Sequence, residues 1–207
     1  GGHSLELRLE SDLIVVSPGV PADIPLLQQA EEKGIEIIGE IELAYRFGSA
    51  PIVGITGTNG KTTATTLLGE IAKDLDRNVT VGGNIGRALI KDLPNLAEED
   101  LAIAEISSFQ LEWIEEFNPT ISIVLNITPD HLNRHTDFDE YINAKKRLVT
   151  QQQEDDYAIL NYDDQQVRDF ATDTKAEVIF FSRNQGIKGG VFVEDGWIIN
   201  DLDNERQ

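Results

Sequence analysis

Short apolar runs alternate with amphipathic segments along most of this chain. The runs fall at Leu13–Val16, Ile35–Ile38, Ile52–Ile55, Asn78–Val81, Leu101–Ile106, Ile121–Ile127, Tyr157–Leu160 and Val178–Phe181. Between them, helical periodicity predicts helices at Pro25–Lys33, Lys61–Leu75, Ile85–Asp92, Asp139–Gln152 and Asp164–Thr172. Runs that are apolar throughout, separated by helices, describe strands buried on both faces. The expected fold is therefore α/β, a mostly parallel sheet with flanking helices. Gly189–Asn200 reads as a β-hairpin turning at Asp195-Gly196. Gly, Ser and Pro cluster at Phe47-Gly48-Ser49-Ala50-Pro51, just before a new strand, and mark a boundary. The piece before it, about two strands and two helices, is too small for a complete α/β domain and reads as the tail of one.

Composition narrows the function classes. The chain has 207 residues, 40% of them hydrophobic, and no run near the roughly 18 apolar residues of a membrane span. Cysteine is absent, which removes disulfides and thiolate metal sites and is compatible with a reducing cytoplasm. Seventeen Lys+Arg stand against 37 Asp+Glu, a net charge of -20. A generic nucleic-acid surface is excluded by that balance. An anionic ligand needs local positive potential from backbone N–H groups, a few cations or Mg²⁺.

Gly54-Ile55-Thr56-Gly57-Thr58-Asn59-Gly60-Lys61-Thr62-Thr63 supplies such a place. A strand runs into a glycine-rich turn that ends in Gly-Lys-Thr and opens a helix. The turn can fold around phosphate oxygens, and the helix start offers N–H groups and the positive end of its dipole. Lys61 can reach terminal phosphates and Thr62 can ligate Mg²⁺. The match to G-x-x-x-x-G-K-[ST] is imperfect, because the first glycine stands at Gly54 and not at position 55. Leu101–Ile106 reads as a second buried strand, with Glu105 near its carboxyl end, where open α/β sheets bind ligands. Beside a phosphate loop, a metal role for Glu105 is natural. A third strand, Ile121–Ile127, releases Asp130 and His131 on the same rim. From the residues alone His131 reads as a structural loop histidine, Asp130 as a turn or capping residue, and Lys145 and Lys146 as a solvated helix face.

Together these segments resemble the Mur ligase family, ATP-dependent amide ligases of peptidoglycan synthesis. Gly57-Thr58-Asn59-Gly60-Lys61-Thr62-Thr63 is similar to that family's nucleotide motif, and the displaced glycine is then the family form. Val16-Ser17-Pro18-Gly19-Val20, Gly83-Asn84-Ile85-Gly86 and Glu105-Ile106-Ser107-Ser108-Phe109-Gln110-Leu111 resemble the branch that adds D-glutamate to UDP-N-acetylmuramoyl-L-alanine. The resemblance implies a P-loop NTPase-like central domain over 48–207, incomplete, preceded over 1–47 by the tail of a Rossmann-like domain for the UDP-linked substrate. A C-terminal domain of the family is absent, so this chain alone is expected not to ligate.

The resemblance also implies site residues. Thr58, Asn59, Gly60, Lys61, Thr62, Thr63 and Ala64 would hold ATP. Thr62 and Glu105 would hold one Mg²⁺ and His131 the second. Lys145 would be the family's carbamylated lysine, with Lys146 as the alternative register. Lys61, Lys145 and His131 would be the catalytic set. Gly19, Asn84 and Gln110 would touch the UDP-linked substrate. A cytoplasmic monomer acting on UDP-N-acetylmuramoyl-L-alanine, D-glutamate and ATP is the expectation. Two other readings remain: a sibling or folylpolyglutamate ligase with another substrate, and a non-catalytic phosphate-loop module.

Overall fold

A computed structural model describes residues 10–130 and 134–202. Two sheets form. Strands β1 (Leu13–Val16) and β2 (Glu36–Gly39) pair in parallel as a small sheet, joined by helix α1 (Pro25–Glu32). Helix α2 (Glu40–Phe47) follows β2 directly. The larger sheet contains β3 (Ile52–Thr56), β4 (Val79–Gly83), β5 (Leu101–Glu105), β6 (Ile121–Val124), β7 (Tyr157–Asn161), β8 (Glu177–Ser182), β9 (Val191–Glu194) and β10 (Trp197–Asn200). Its order is β10-β9-β8-β7-β6-β3-β5-β4, and only the β9–β10 pair is antiparallel. The hairpin turn falls at Asp195 (φ 50°) and Gly196 (φ 81°), the two left-handed residues that a type I′ turn requires.

Crossovers between parallel strands are right-handed, so the strand order fixes the helix faces. The step from β3 out to edge strand β4 runs through α3 (Lys61–Ala72) and puts that helix on one face. Later steps run the other way, through α4 (Ser108–Leu111), α5 (Phe138–Thr150) and α6 (Gln165–Asp169), and place those helices on the opposite face. Alternation along β3 serves both faces. Val53 and Ile55 pack toward Ala64 and Leu68 of α3, while Ile52 joins Ile41, Ala102, Ala104, Phe117 and Leu148. A third cluster seats Tyr141 and Val149 on Val124, Ala158 and Leu160.

Most expected elements form, with bounds shifted by a few residues. The helix expected over Ile85–Asp92 does not form. Two 3-10 turns take its place, at Leu89–Lys91 and Leu93–Asn95. The left-handed Gly86 (φ 64°) and the extended Ala88 (φ -61°, ψ 137°) break the helical run. The expected helix over Asp164–Thr172 divides into α6, capped by Asp164, and a 3-10 turn at Phe170–Thr172. Helix α4 is too short to show a period.

One buried carboxylate ties α2 to the segment after α4. Glu42 is fully buried. It accepts N–H bonds from Glu115 (2.8 Å), Glu116 (3.1 Å) and Phe117 (2.9 Å), and one from Arg46 Nε at 2.8 Å. Close by, Gly39 N–H donates to the Trp113 carbonyl at 2.7 Å. Burial alone would raise the Glu42 pKa, but these donors outweigh it and hold the carboxyl below its ordinary value. A depressed folded pKa contributes stability above the unfolded value and loses it as pH falls through the folded one. Glu42→Ala is therefore expected to cost about 3–5 kcal/mol in urea unfolding at pH 7, because it leaves three amides without their acceptor and takes from Arg46 one of its three carboxylate partners, Glu36 and Glu115 remaining. The cost should shrink below pH ~4. A loss under about 1 kcal/mol at pH 7 would show that the carboxylate is replaceable.

Candidate functional site

The carboxyl ends of β3, β5 and β6 lie side by side, as their parallel registers require. The phosphate loop leaves β3 at Gly57 (φ 151°), where a side chain would press on Leu125. It ends at the left-handed Gly60 (φ 86°), which directly precedes α3. The exit of β6 holds the loop in shape. Thr58 N–H donates to Asn126 O at 2.8 Å, Asn59 N–H to Asn126 Oδ1 at 2.8 Å, and Asn126 Nδ2 returns a bond to Asn59 O at 2.9 Å. Thr58 Oγ1 donates to Thr128 O at 3.1 Å and accepts from Thr128 N–H at 3.0 Å. The Tyr141 hydroxyl lies 3.0 Å from the same Oγ1 and donates to it. Burial pushes the Tyr141 phenol above its ordinary pKa and keeps that donor.

This arrangement sorts the expected ATP contacts. The amides of Thr58 and Asn59 are already used by Asn126. The donors left over for an anion are those at the start of α3, from Gly60 through Thr63, which have no intrahelical acceptor; the expected contact at Ala64 is not among them, because its N–H already donates to Gly60 O at 2.9 Å. Lys61 folds back onto its own loop, donating to Gly57 O and Thr58 O at 2.8 Å each.

Glu105 sits between the other expected residues. It is 2% exposed. Oε2 accepts from Thr62 Oγ1 at 2.7 Å, and Oε1 from Asn84 Nδ2 at 2.7 Å. Asn84 is delivered by Gly83, left-handed (φ 96°) and so close to the Glu105 carbonyl that a side chain there would collide with it. Asn84 N–H then donates to that carbonyl at 2.8 Å. Gln110 has a structural part here: its Oε1 accepts from Ser107 N–H (3.0 Å) and Ser107 Oγ (2.9 Å), closing a capping box on α4.

The two adjacent lysines separate cleanly. Lys146 pairs with Asp173 at 3.5 Å, away from the loop. Lys145 is 1% exposed and points at the loop, with Nζ 2.9 Å from Gly57 O, 3.5 Å from Thr56 Oγ1, and 4.7 Å from the Tyr141 ring centroid. Burial and the nearby Lys61 charge lower its pKa to about 7, against a smaller opposing pull from Asp130. Lys61 and Lys145 thus converge on the same Gly57 carbonyl. His131 lies outside the described residues. Gly19 stands apart, at the left-handed end of a turn in the small sheet (φ 90°).

A shell that the sequence did not single out supports this rim. His135 is buried, 3.1 Å from Ser108 Oγ, stacked on Phe109 (5.5 Å between centroids) and edge-on to Tyr141 (5.3 Å). Tyr141 and Lys145 are four residues apart on α5, which places both on one helix face. That spacing was the available signal.

A donor set fit for Mg²⁺ is present in Thr62 and Glu105. This ion keeps several waters and takes one or two carboxylates plus phosphate oxygens. Among the described residues no group of three His, Cys, Asp or Glu side chains is arranged around one point.

Comparison with known proteins agrees with this geometry. Residues 55–197 match the Mur ligase middle domain, and residues 1–39 match the Mur ligase MurD-like N-terminal domain. UDP-N-acetylmuramoylalanine–D-glutamate ligase of Thermoanaerobacter sp. (strain X514) is 52% identical over 187 residues, 90% of this chain and 41% of that protein. The ligase of the same name from Clostridioides difficile (strain 630) is 47% identical over 205 residues, 99% of this chain and 46% of that protein. The chain therefore spans less than half the length of these curated relatives. Two solved structures share the fold. UDP-N-acetylmuramoyl-L-alanyl-D-glutamate–2,6-diaminopimelate ligase has a TM-score of 0.61 at 18% identity, covering 91% of this chain and 49% of that one. MurF ligase from Thermotoga maritima in complex with ADP has a TM-score of 0.57 at 17% identity, covering 93% and 55%.

The lowered Lys145 pKa has a measurable consequence. Between about pH 7 and the ordinary lysine value the unfolded chain binds this proton and the folded one does not, so stability rises with pH across that window. Urea unfolding of the wild type should gain up to ~1.4 kcal/mol per pH unit there relative to Lys145→Met. Parallel pH profiles for the two proteins would contradict the neutral amine.

Proposed function

The chain belongs to the Mur ligase family, and from that premise we propose that it is the ATP-binding core of a ligase that joins D-glutamate to UDP-N-acetylmuramoyl-L-alanine through an acyl phosphate. The supporting observation is the meeting of Lys61, Thr62, Glu105 and Lys145 at one rim. Relatives at 47–52% identity carrying that ligase's name support the choice of substrate. The work divides between a substrate-binding part over 1–47 and the nucleotide-binding part over 48–207, in a cytoplasmic monomer.

The chemical difficulty is to bring a carboxylate against the γ-phosphate of ATP, two anions that repel. The amides opening α3 cradle the phosphate oxygens, with the helix dipole behind them. A phosphate oxyanion is a stronger acceptor than a peptide carbonyl, so Lys61 exchanges Gly57 and Thr58 for the transferring phosphoryl group and offsets its charge. The substrate carboxylate attacks the γ-phosphorus and ADP leaves. The amine of D-glutamate then adds to the acyl carbon, and collapse of the tetrahedral adduct expels phosphate and leaves the amide. Asn84 and the Gly19 turn orient the UDP-linked substrate, with Gln110 beside them.

Mg²⁺ supplies charge neutralisation at this junction when bound. Thr62 and Glu105 would hold one ion, and His131 and Lys145 the second. A lysine serves there only as its carbamate, which carries carboxylate oxygens. Carbon dioxide adds to a neutral amine, and a pKa of about 7 leaves much of Lys145 in that form at neutral pH.

Two experiments test this. In the ligase that carries this chain, phosphate release from ATP with UDP-N-acetylmuramoyl-L-alanine should depend on D-glutamate and on no other amino acid of a panel. Lys61→Ala should cut kcat by about 10²–10³ without unfolding the protein. Release with a different amino acid or with a folate acceptor would replace the substrate assignment, and near-normal turnover by Lys61→Ala would remove the loop from the chemistry. With ¹³C-bicarbonate, the wild type should show a carbamate carbon signal that Lys145→Met lacks. A signal retained in the variant would move the modification elsewhere.

A further inference from the structure

The Gly19 turn and the phosphate loop grow from different sheets, and no strand ladder joins the two. The turn closes on itself through Val20 N–H to Ser17 O at 3.2 Å. The contact that reaches it from the larger sheet is made by Arg134. Nη1 donates to Gly19 O at 2.8 Å and Nη2 to Val20 O at 2.7 Å. A planar guanidinium holds two successive carbonyls in one fixed geometry, which a lysine ammonium cannot reproduce. The guanidinium is itself aimed from below. It lies over the Phe109 ring at 5.1 Å, and Nη2 also reaches Glu112 Oε2 at 3.3 Å.

The contacts continue inward without a gap. Phe109 stacks on the buried His135, His135 meets the Tyr141 ring edge-on, and the Tyr141 hydroxyl donates to Thr58 of the phosphate loop. Packed aromatic rings and a satisfied hydrogen bond leave little slack, because protein interiors are close-packed.

We propose that Arg134 is a positioning residue: it clamps the Gly19 turn to the nucleotide-binding part and, through Phe109, His135 and Tyr141, sets the turn's distance from the phosphate loop. Resting on the reading given under Proposed function, this means that Arg134 governs how the UDP-linked substrate is presented to ATP while leaving ATP binding itself alone. None of its contacts touches the start of α3.

Amide hydrogen exchange and calorimetric titration test this on the chain itself, using UDP-N-acetylmuramoyl-L-alanine and a non-hydrolysable ATP analogue as probes. Arg134→Ala and the milder Arg134→Lys should both speed exchange at residues 17–23 in the absence of ligand. Affinity for the UDP-linked probe should fall about tenfold or more, the scale of lost charge-assisted bonds, while affinity for the ATP analogue changes less than about twofold. Unchanged exchange at 17–23 in Arg134→Lys, which retains the stem and charge and should fold, would overturn the clamp. Equal loss of both affinities with a lowered Tm would also overturn it, since that is general destabilisation. Faster exchange with no binding of the UDP-linked probe by the wild type would uphold the clamp and overturn the substrate reading instead.

Discussion

A carboxylate that is almost fully removed from water needs donors on its oxygens, and the matching of Glu105 organises the rest of this site. Its two oxygens take one donor from the first turn of α3 and one from the turn after β4. Those partners come from the strands on either side of β5, so satisfying one charge fixes three segments at once. Gly83 is required for the same reason, because the turn that delivers Asn84 runs against the Glu105 carbonyl. Thr62 and Asn84 each hold one Glu105 oxygen through a single hydrogen bond.

The cations show the complementary constraint. Lys61 and Lys145 both donate to the Gly57 carbonyl, and two like charges at one acceptor disfavour each other. Burial first, and the Lys61 charge after it, lower the Lys145 pKa to about 7. Lys61 is half-buried at the loop and Lys145 lies fully buried behind it. The difference between the two amines is one of depth. It follows from the depth of α5 against β3 and requires no special residue beyond the lysine itself.

Much of this was legible in the sequence because it rests on patterns that strand and helix geometry enforce. A strand apolar throughout with a lone acid at its carboxyl end placed Glu105, and the glycine spacing placed the loop and Lys61. Lys145 could not be told from Lys146 by pattern, since neighbours on a helix point about 100° apart and either could face inward; depth decided it, with Lys146 on Asp173 and Lys145 on Gly57. The supporting shell was invisible for a different cause. Arg134 and His135 sit in a loop with no period, and their partners are 22 to 115 positions away in sequence. Ile85–Asp92 was misread because its apolar spacing suits a helix while left-handed Gly86 and extended Ala88 interrupt one.

The same long-range contacts explain why the small sheet keeps its place. Two strands and one helix bury too little surface to be stable alone. Three polar links join this unit to the segment after α4: the Glu42 carboxylate on the amides of 115–117, the Gly39 amide on Trp113, and the Arg46 guanidinium on Glu115. All three land just past the residues that cap α4. The same unit also packs on the turns that follow β4, where Glu40 Oε1 accepts from Ile90 N–H at 2.8 Å and Ile41 and Ala44 meet Leu89 and Leu93. The part that carries the Gly19 turn is therefore held from two sides, by the connection that enters β5 and by the one that leaves it. A unit fixed to both connections of Glu105's own strand keeps its spacing from that strand, and alignment of bound groups on the ångström scale depends on such fixed spacing.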